Sequence, residues 1–298
     1  MSGVTGPRRA LVPIYITIGL ITVLWVVPTL GLLVSSFREP RSIRESGWWE
    51  ALASPFDSGT WTLENYRTVL DDGFGDAFMN TLAVSIPSTV IPITIAAFAA
   101  YAFAWMDFPG RNILFVTVVG LMVVPLQMAL IPILRLYTGG ANWFGIPVFP
   151  DLDLTGTYPG VWLAHAGFGM PLAVYLLRNY MGSLPSSMIE SAKIDGASHF
   201  EIFTKLMVPL SVPVLASFAI FQFLWTWNDF LVALVFLGID DPSKTVLTVE
   251  LSQLAGRGEG ALSLLPAAAF VSMILPLFVF FALQRFFVRG LTAGSVKG

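Results

Sequence analysis

Six stretches of this chain carry no charged side chain: Ala10–Phe37, Ala77–Met106, Asn112–Leu134, Leu154–Leu177, Leu206–Asn228 and Gly260–Gln284. A helix needs about 20 mostly apolar residues to cross the hydrocarbon core of a bilayer, and each run is long enough. A backbone in lipid must also satisfy its own hydrogen bonds, which favours helices for such runs. The 12% of charged residues is about half of what a soluble domain carries, too few to coat a water-facing shell. The expected fold is therefore all-α and integral to a membrane, with six transmembrane helices. The fifth run continues past Asp229 to about Gly238. A seventh, Leu136–Pro150, is short and broken by Gly139, Gly140, Gly145 and Pro147, and reads as loop. Arg8 and Arg9 precede the first run as in a signal peptide. That run is longer than a signal core and has no convincing small-x-small site, so it reads as a retained helix.

Six spans put both termini on one side. With termini inside, nine basic residues face the cytoplasm and seven face outward, against four acidic residues inside and fourteen outside. The positive-inside rule then places both termini in the cytoplasm. Arg38, Arg41 and Arg44, just beyond the first run, oppose this, although a long loop can translocate despite such charge. The expected organisation is an N-terminal helix with an outer segment (1–76), a core of five spans (77–288) with a cytoplasmic loop at about 183–209, and a tail (289–298).

That loop is the most informative segment. Ser186 or Ser187 is positioned to cap a short helix with Glu190 in its first turn, and Met188, Ile189 and Ala192 fall near one face. Asp195-Gly196 supplies a break, because glycine takes left-handed angles cheaply. Phe200, Phe203, Leu206 and Met207 then recur at helical spacing. A connector lying on headgroups would look like this, and so would a docking element for a partner protein.

The segment resembles the permease signature of binding-protein-dependent ABC importers: Glu-Ala-Ala, three residues, Gly, nine residues, Ile-x-Leu-Pro. The chain has Glu190-Ser191-Ala192, Gly196 and Leu206-x-Val208-Pro209 at that spacing, with Ser191, Leu206 and Val208 as conservative departures. Thr62-Leu-Glu-Asn-Tyr66, Asn80-Thr81-Leu82, Trp227-Asn228-Asp229-Phe230 and the terminal Arg289–Gly298 resemble the sugar-importer subgroup, nearest in type to the second permease of maltose and alpha-glucoside importers. The resemblance implies the type I importer permease fold in a bacterial inner membrane. It implies a second, unlike permease, two ATPase subunits that bind ATP and Mg, and an extracytoplasmic sugar-binding protein as partners; this chain would need no cofactor of its own. It also implies that Glu190, Ser191, Ala192, Asp195, Gly196 and Phe200 couple to the ATPase, and that Leu291, Thr292, Gly294 and Lys297 contact it. By the same resemblance, the outer loop at Gln253, Gly256, Arg257, Gly258 and Glu259 reaches the binding protein. Its glycines by themselves read as a flexible connector. The solute implied is a sugar of the disaccharide or alpha-glucoside kind, with another small polar solute such as glycerol phosphate or a different oligosaccharide as the alternative.

Asp229 is the only charged residue well inside a span, where a carboxylate costs roughly 2.5–3.5 kcal/mol on insertion scales and must face protein or water. With Gln222, Trp225, Trp227 and Asn228 it forms either a sugar pathway or a packing contact, the latter favoured by its place in a family-wide pattern. His165 reads as a satisfied packing residue, and His199 as a surface contact. Other activities lack their motifs. There is no Gly-x4-Gly-Lys-Ser/Thr phosphate loop for an ATPase, no His-Glu-x-x-His or Gly-x-Ser-x-Gly, and no cysteine. A secondary transporter would show inverted repeats and intramembrane ion-coupling groups. A net charge of −3 gives no reason to expect a nucleic-acid partner.

Overall fold

A computed structural model describes residues 7–57, 60–239 and 241–293. Its helices are α1 (Pro7–Ser36), α2 (Pro40–Glu45), α3 (Trp48–Ala53), α4 (Glu64–Val69), α5 (Gly75–Trp105), α6 (Arg111–Gly120) and α7 (Leu126–Gly139). They continue with α8 (Tyr158–Gly182), α9 (Ser186–Ile194), α10 (His199–Ile202), α11 (Val208–Trp227), α12 (Leu231–Leu237), α13 (Leu247–Gly256) and α14 (Leu265–Ala293). These residues divide into two compact units, 1–75 with 250–273, and 76–249 with 274–298.

Among the described residues, five helical stretches are long and apolar enough to cross a membrane, and a bent pair makes a sixth if it is taken as one span. The bent pair is the third uncharged run. Residues Arg111–Val123 and Leu126–Gly139 meet at 108° instead of forming one straight span. Pro125 explains the break: a proline pushes the preceding residue out of helical angles, and Val124 sits at φ −71°, ψ 117°. The helix then runs to Gly139. Beyond it, β1 (Ala141–Trp143) and β2 (Ile146–Phe149) form a hairpin where the sequence reads as loop. Phe144 and Gly145 both have positive φ (50° and 83°), as a two-residue turn of this kind requires. The fifth run divides at Asn228–Phe230 into α11 and α12. A π turn, Phe203–Met207, joins α10 to α11 ahead of Pro209, whose missing N–H disturbs the ladder there.

In the first unit the segment after α1 is tied down. Asn65 Nδ2 donates to the Ser36 and Arg38 carbonyls (3.1 and 2.8 Å), and Tyr66 Oη donates to Ser36 Oγ at 2.8 Å. Arg38 is buried, its guanidinium donating to the Ser42 and Ser46 carbonyls. It is a structural cross-link between the end of α1 and the α2 segment. The region expected to be a flexible outer connector is mostly helical. A 3₁₀ turn at Pro242–Lys244, α13, and a second 3₁₀ turn at Gly258–Ala261 replace it.

In the second unit Asn80 does the equivalent work. Its amide donates to the Ser243 and Thr245 carbonyls (2.8 and 3.0 Å) and accepts from Tyr158 Oη at 2.8 Å, while Thr81 Oγ1 accepts from Leu247 N at 2.8 Å. The Asn-Thr-Leu motif thus fastens the start of α5 to the chain ahead of α13. One buried cluster of this unit gathers Ala96, Ala100 and Tyr101 from α5, Val174, Leu177 and Met181 from α8, Ile189 from α9 and Ile202 from α10.

Candidate functional site

The loop between α8 and α11 is built from two interlocked caps. At the end of α9, Ala197 N donates to the Ala192 carbonyl and Gly196 N to the Lys193 carbonyl, both at 3.0 Å. This is the paired pattern of a Schellman cap, and Gly196 takes the left-handed position at φ +83°. The next helix starts on a capping box, in which Ser198 Oγ accepts from Glu201 N and Glu201 Oε2 accepts from Ser198 N. Two turns of opposite sense therefore fix the angle between α9 and α10.

One correction concerns the start of α9. Its N-cap is Pro185, Ser186 is the first helical residue, and neither serine makes a side-chain cap bond. Proline fits this boundary because its φ is already fixed there. Glu190 consequently lies in the second turn, exposed, beyond the first-turn position expected of it.

The inner side of the loop packs on its own chain: Ile189 is buried and Met188 and Ala192 are half-buried, as their spacing predicts. Tyr101 Oη lies 2.9 Å from His199 Nδ1, so His199 is anchored to α5 in addition to being exposed. Trp105 Nε1 donates to the Met181 carbonyl at 3.0 Å. The outer side is bare. Ile194 is 85% exposed and Phe200 66%, with Glu190, Ser191 and Asp195 exposed around them. Two large apolar side chains on a rigid, polar-rimmed elbow form a surface suited to a protein groove.

The polar cluster of the fifth span is a helix break. Asp229 Oδ1 accepts from Val232 N at 3.3 Å and Oδ2 from Ala233 N at 2.9 Å, so the carboxylate caps α12, where the helix dipole favours negative charge. Thr248 Oγ1 donates to the Asp229 carbonyl at 2.6 Å. Trp227 is buried with its ring 5.3 Å from Phe78, and Asn228 turns back to the Leu224 carbonyl. The structure thus brings Asp229, Asn228 and Trp227 into a structural knot, while Gln222 and Trp225 line a separate cavity.

His165 departs from its expected satisfied state. It is fully buried, neither ring nitrogen has a hydrogen-bond partner among the described residues, and Nε2 is 3.6 Å from Asp229 Oδ2. Sequence reasoning missed this neighbour, because the two positions are brought together by the packing of α8 against the α11–α12 break.

Around the end of α13, Gln253, Gly256, Arg257, Gly258 and Glu259 are all exposed. Arg257 is nevertheless engaged, with one guanidinium nitrogen on Asp72 and another 3.7 Å from Glu250 Oε1. Burial holds the Glu250 carboxyl above its ordinary range, opposed by Arg257. At the C-terminus, Leu291 and Thr292 lie in α14, whereas Gly294 and Lys297 lie outside the described residues.

Comparison with known proteins decides what kind of chain this is. Residues 92–293 match the family described as "Binding-protein-dependent transport system inner membrane component". The chain belongs to this family. The permease is 54% identical over 286 residues to the osmoprotective compounds uptake permease protein GgtD of Synechocystis, covering 96% of this chain and 92% of that protein. It is 44% identical to the alpha-glucoside transport system permease protein AglG of Rhizobium meliloti, covering 96% and 97%. Its fold is that of a chain in the crystal structure of a bacterial ABC transporter involved in the import of alginate, with TM-score 0.75, 20% identity and coverage of 96% and 99%. The permease is a non-catalytic, membrane-embedded subunit of an ABC importer.

Proposed function

We propose that this permease forms the transmembrane path of an importer for small neutral glucosides, driven by ATPase subunits that grip the α9–α10 elbow. The observation carrying the coupling reading is the elbow itself: a Schellman cap at Gly196 and a capping box at Ser198 hold Ile194 and Phe200 outward. A movement imposed on those side chains passes to α5 through the Tyr101–His199 bond and to α11 through the continuous helix after Ser198. Leu291, Thr292, Gly294 and Lys297 supply a second ATPase contact, and Gln253 to Glu259 face the binding protein. A second, unlike permease completes the path. The termini and the elbow are cytoplasmic, as the charge asymmetry of the sequence favours.

The solute class is supported by the relatives. An uptake permease for osmoprotective compounds and one for alpha-glucosides are consistent with small, uncharged glucosides. The test is uptake by the complete complex in proteoliposomes, with its binding protein, of radiolabelled trehalose, sucrose and maltose beside glycerol phosphate. At least one glucoside is expected to be imported with ATP, and glycerol phosphate is not. Import of glycerol phosphate alone would overturn the assignment.

A further inference from the structure

Between α8 and α11 lies a cavity of about 210 Å³, lined by Phe168, Gly169, Phe221, Gln222 and Trp225 among others. It shares Met122, Phe168 and Trp225 with an adjoining hollow of about 500 Å³ beside the Pro125 bend. Gln222 is completely buried, and its Nε2 donates to the Ser88 carbonyl at 3.2 Å, which fixes the sense of the amide. The other end, Oε1, has no hydrogen-bond partner among the described residues. It lies against Gly169, where a Cβ would come within 2.5 Å of it, so only glycine lets the amide sit there.

An orphaned buried acceptor is costly and calls for a donor. A lipid chain or an apolar side chain filling the cavity would leave that cost in place. A hydroxyl would remove it. The aromatic rings of Phe168, Phe221 and Trp225 suit the C–H faces of a sugar ring. The volume is below the roughly 300–1,000 Å³ of pockets for drug-sized ligands, a size that fits a single ring.

We propose that this cavity is a subsite for one pyranose ring of the transported solute, with a ring hydroxyl donating to Gln222 Oε1 and the ring's C–H face against Trp225. Oε1 is buried against Gly169 in this structure, so the proposal includes an opening of the α8–α11 contact there that lets the hydroxyl reach it. This rests on the glucoside-importer reading above, and it makes this subunit itself a reader of the sugar.

The test uses the reconstituted complex with its binding protein and whichever of radiolabelled trehalose, sucrose or maltose the wild type imports, beside the monodeoxy analogues of that sugar. In the wild type, one deoxygenation should lower uptake kcat/KM by roughly three- to tenfold through loss of this bond. In Gln222→Leu the same deoxygenation should cost nothing further, while penalties set by other groups persist. Identical analogue ratios in wild type and variant would overturn the subsite and leave the importer reading standing. If the wild type imports none of the three sugars, the importer reading fails and the subsite with it. Trp225→Leu, which leaves the Ser88 bond intact, decides the matter if Gln222→Leu does not assemble: uptake should fall at least threefold in an intact complex, and unchanged uptake overturns the proposal.

Discussion

Gly196 and Asp229 are both punctuation marks, yet only one could be read in advance. Asp195-Gly196 announces a helix end because few residues other than glycine take φ +83° cheaply. Among the described residues no heavy atom lies within 4 Å of a Cβ built at Gly196, so a side chain there starts into open space. Gly196→Ala should therefore cost about 1 kcal/mol through the backbone alone, and bulkier residues little more. Thermal unfolding of the detergent-purified complex would check this, with a much larger loss for bulkier residues contradicting it. Asp229 looks like an isolated membrane charge, because the amides it caps, on Val232 and Ala233, follow a break that the apolar run conceals. Asp229→Ala should destabilise by about 1 kcal/mol, and Asp229→Asn, which keeps one acceptor, by less. Equal loss in the two variants, read from the same unfolding curves, would refute the capping role.

At the scale of elements, the third uncharged run and the stretch around Gly256 were the least legible. An uncharged run defines length but not straightness, and Pro125 turns one span into two helices at 108°. The glycines at Gly256, Gly258 and Gly260 suggest looseness, yet the helix before them is held by Thr81 and Thr248 at its start, through bonds to Leu247 N and the Asp229 carbonyl. Amide exchange should accordingly be slow from 250 to 255. Exchange as fast as in an open loop would contradict the helix. The orientation expected from charge can be tested because the chain has no cysteine. Ser198 serves as a cap, so Ser187 and Ser252, exposed serines on α9 and α13, are the better probes. In intact cells an impermeant maleimide should label Ser252→Cys and spare Ser187→Cys; the opposite pattern would invert the topology.

Across the molecule, the family could be read from spacing because the Glu190, Gly196 and Pro209 pattern encodes a local shape: a helix, its left-handed stop, and a helix entering the membrane. The Thr62–Tyr66, Asn80–Leu82 and Trp227–Phe230 motifs were visible as patterns, but not what they do. The first two prove to be long-range fastenings, of Asn65 to the end of α1 and of Asn80 to the chain before α13, whereas Asp229 caps α12 locally, three and four residues on. His165 and Gln222 were visible as residues but their contacts were not, since their neighbours Asp229 and Ser88 lie on other elements. The central claim is that the α9–α10 elbow transmits ATP hydrolysis to the membrane path, and its most direct test is ATP-dependent glucoside uptake in proteoliposomes by complexes carrying Glu190→Lys or Gly196→Asp. Both positions are exposed, so the membrane helices should still insert and fold, while uptake should be abolished in each variant. Uptake at the wild-type rate by both would contradict it.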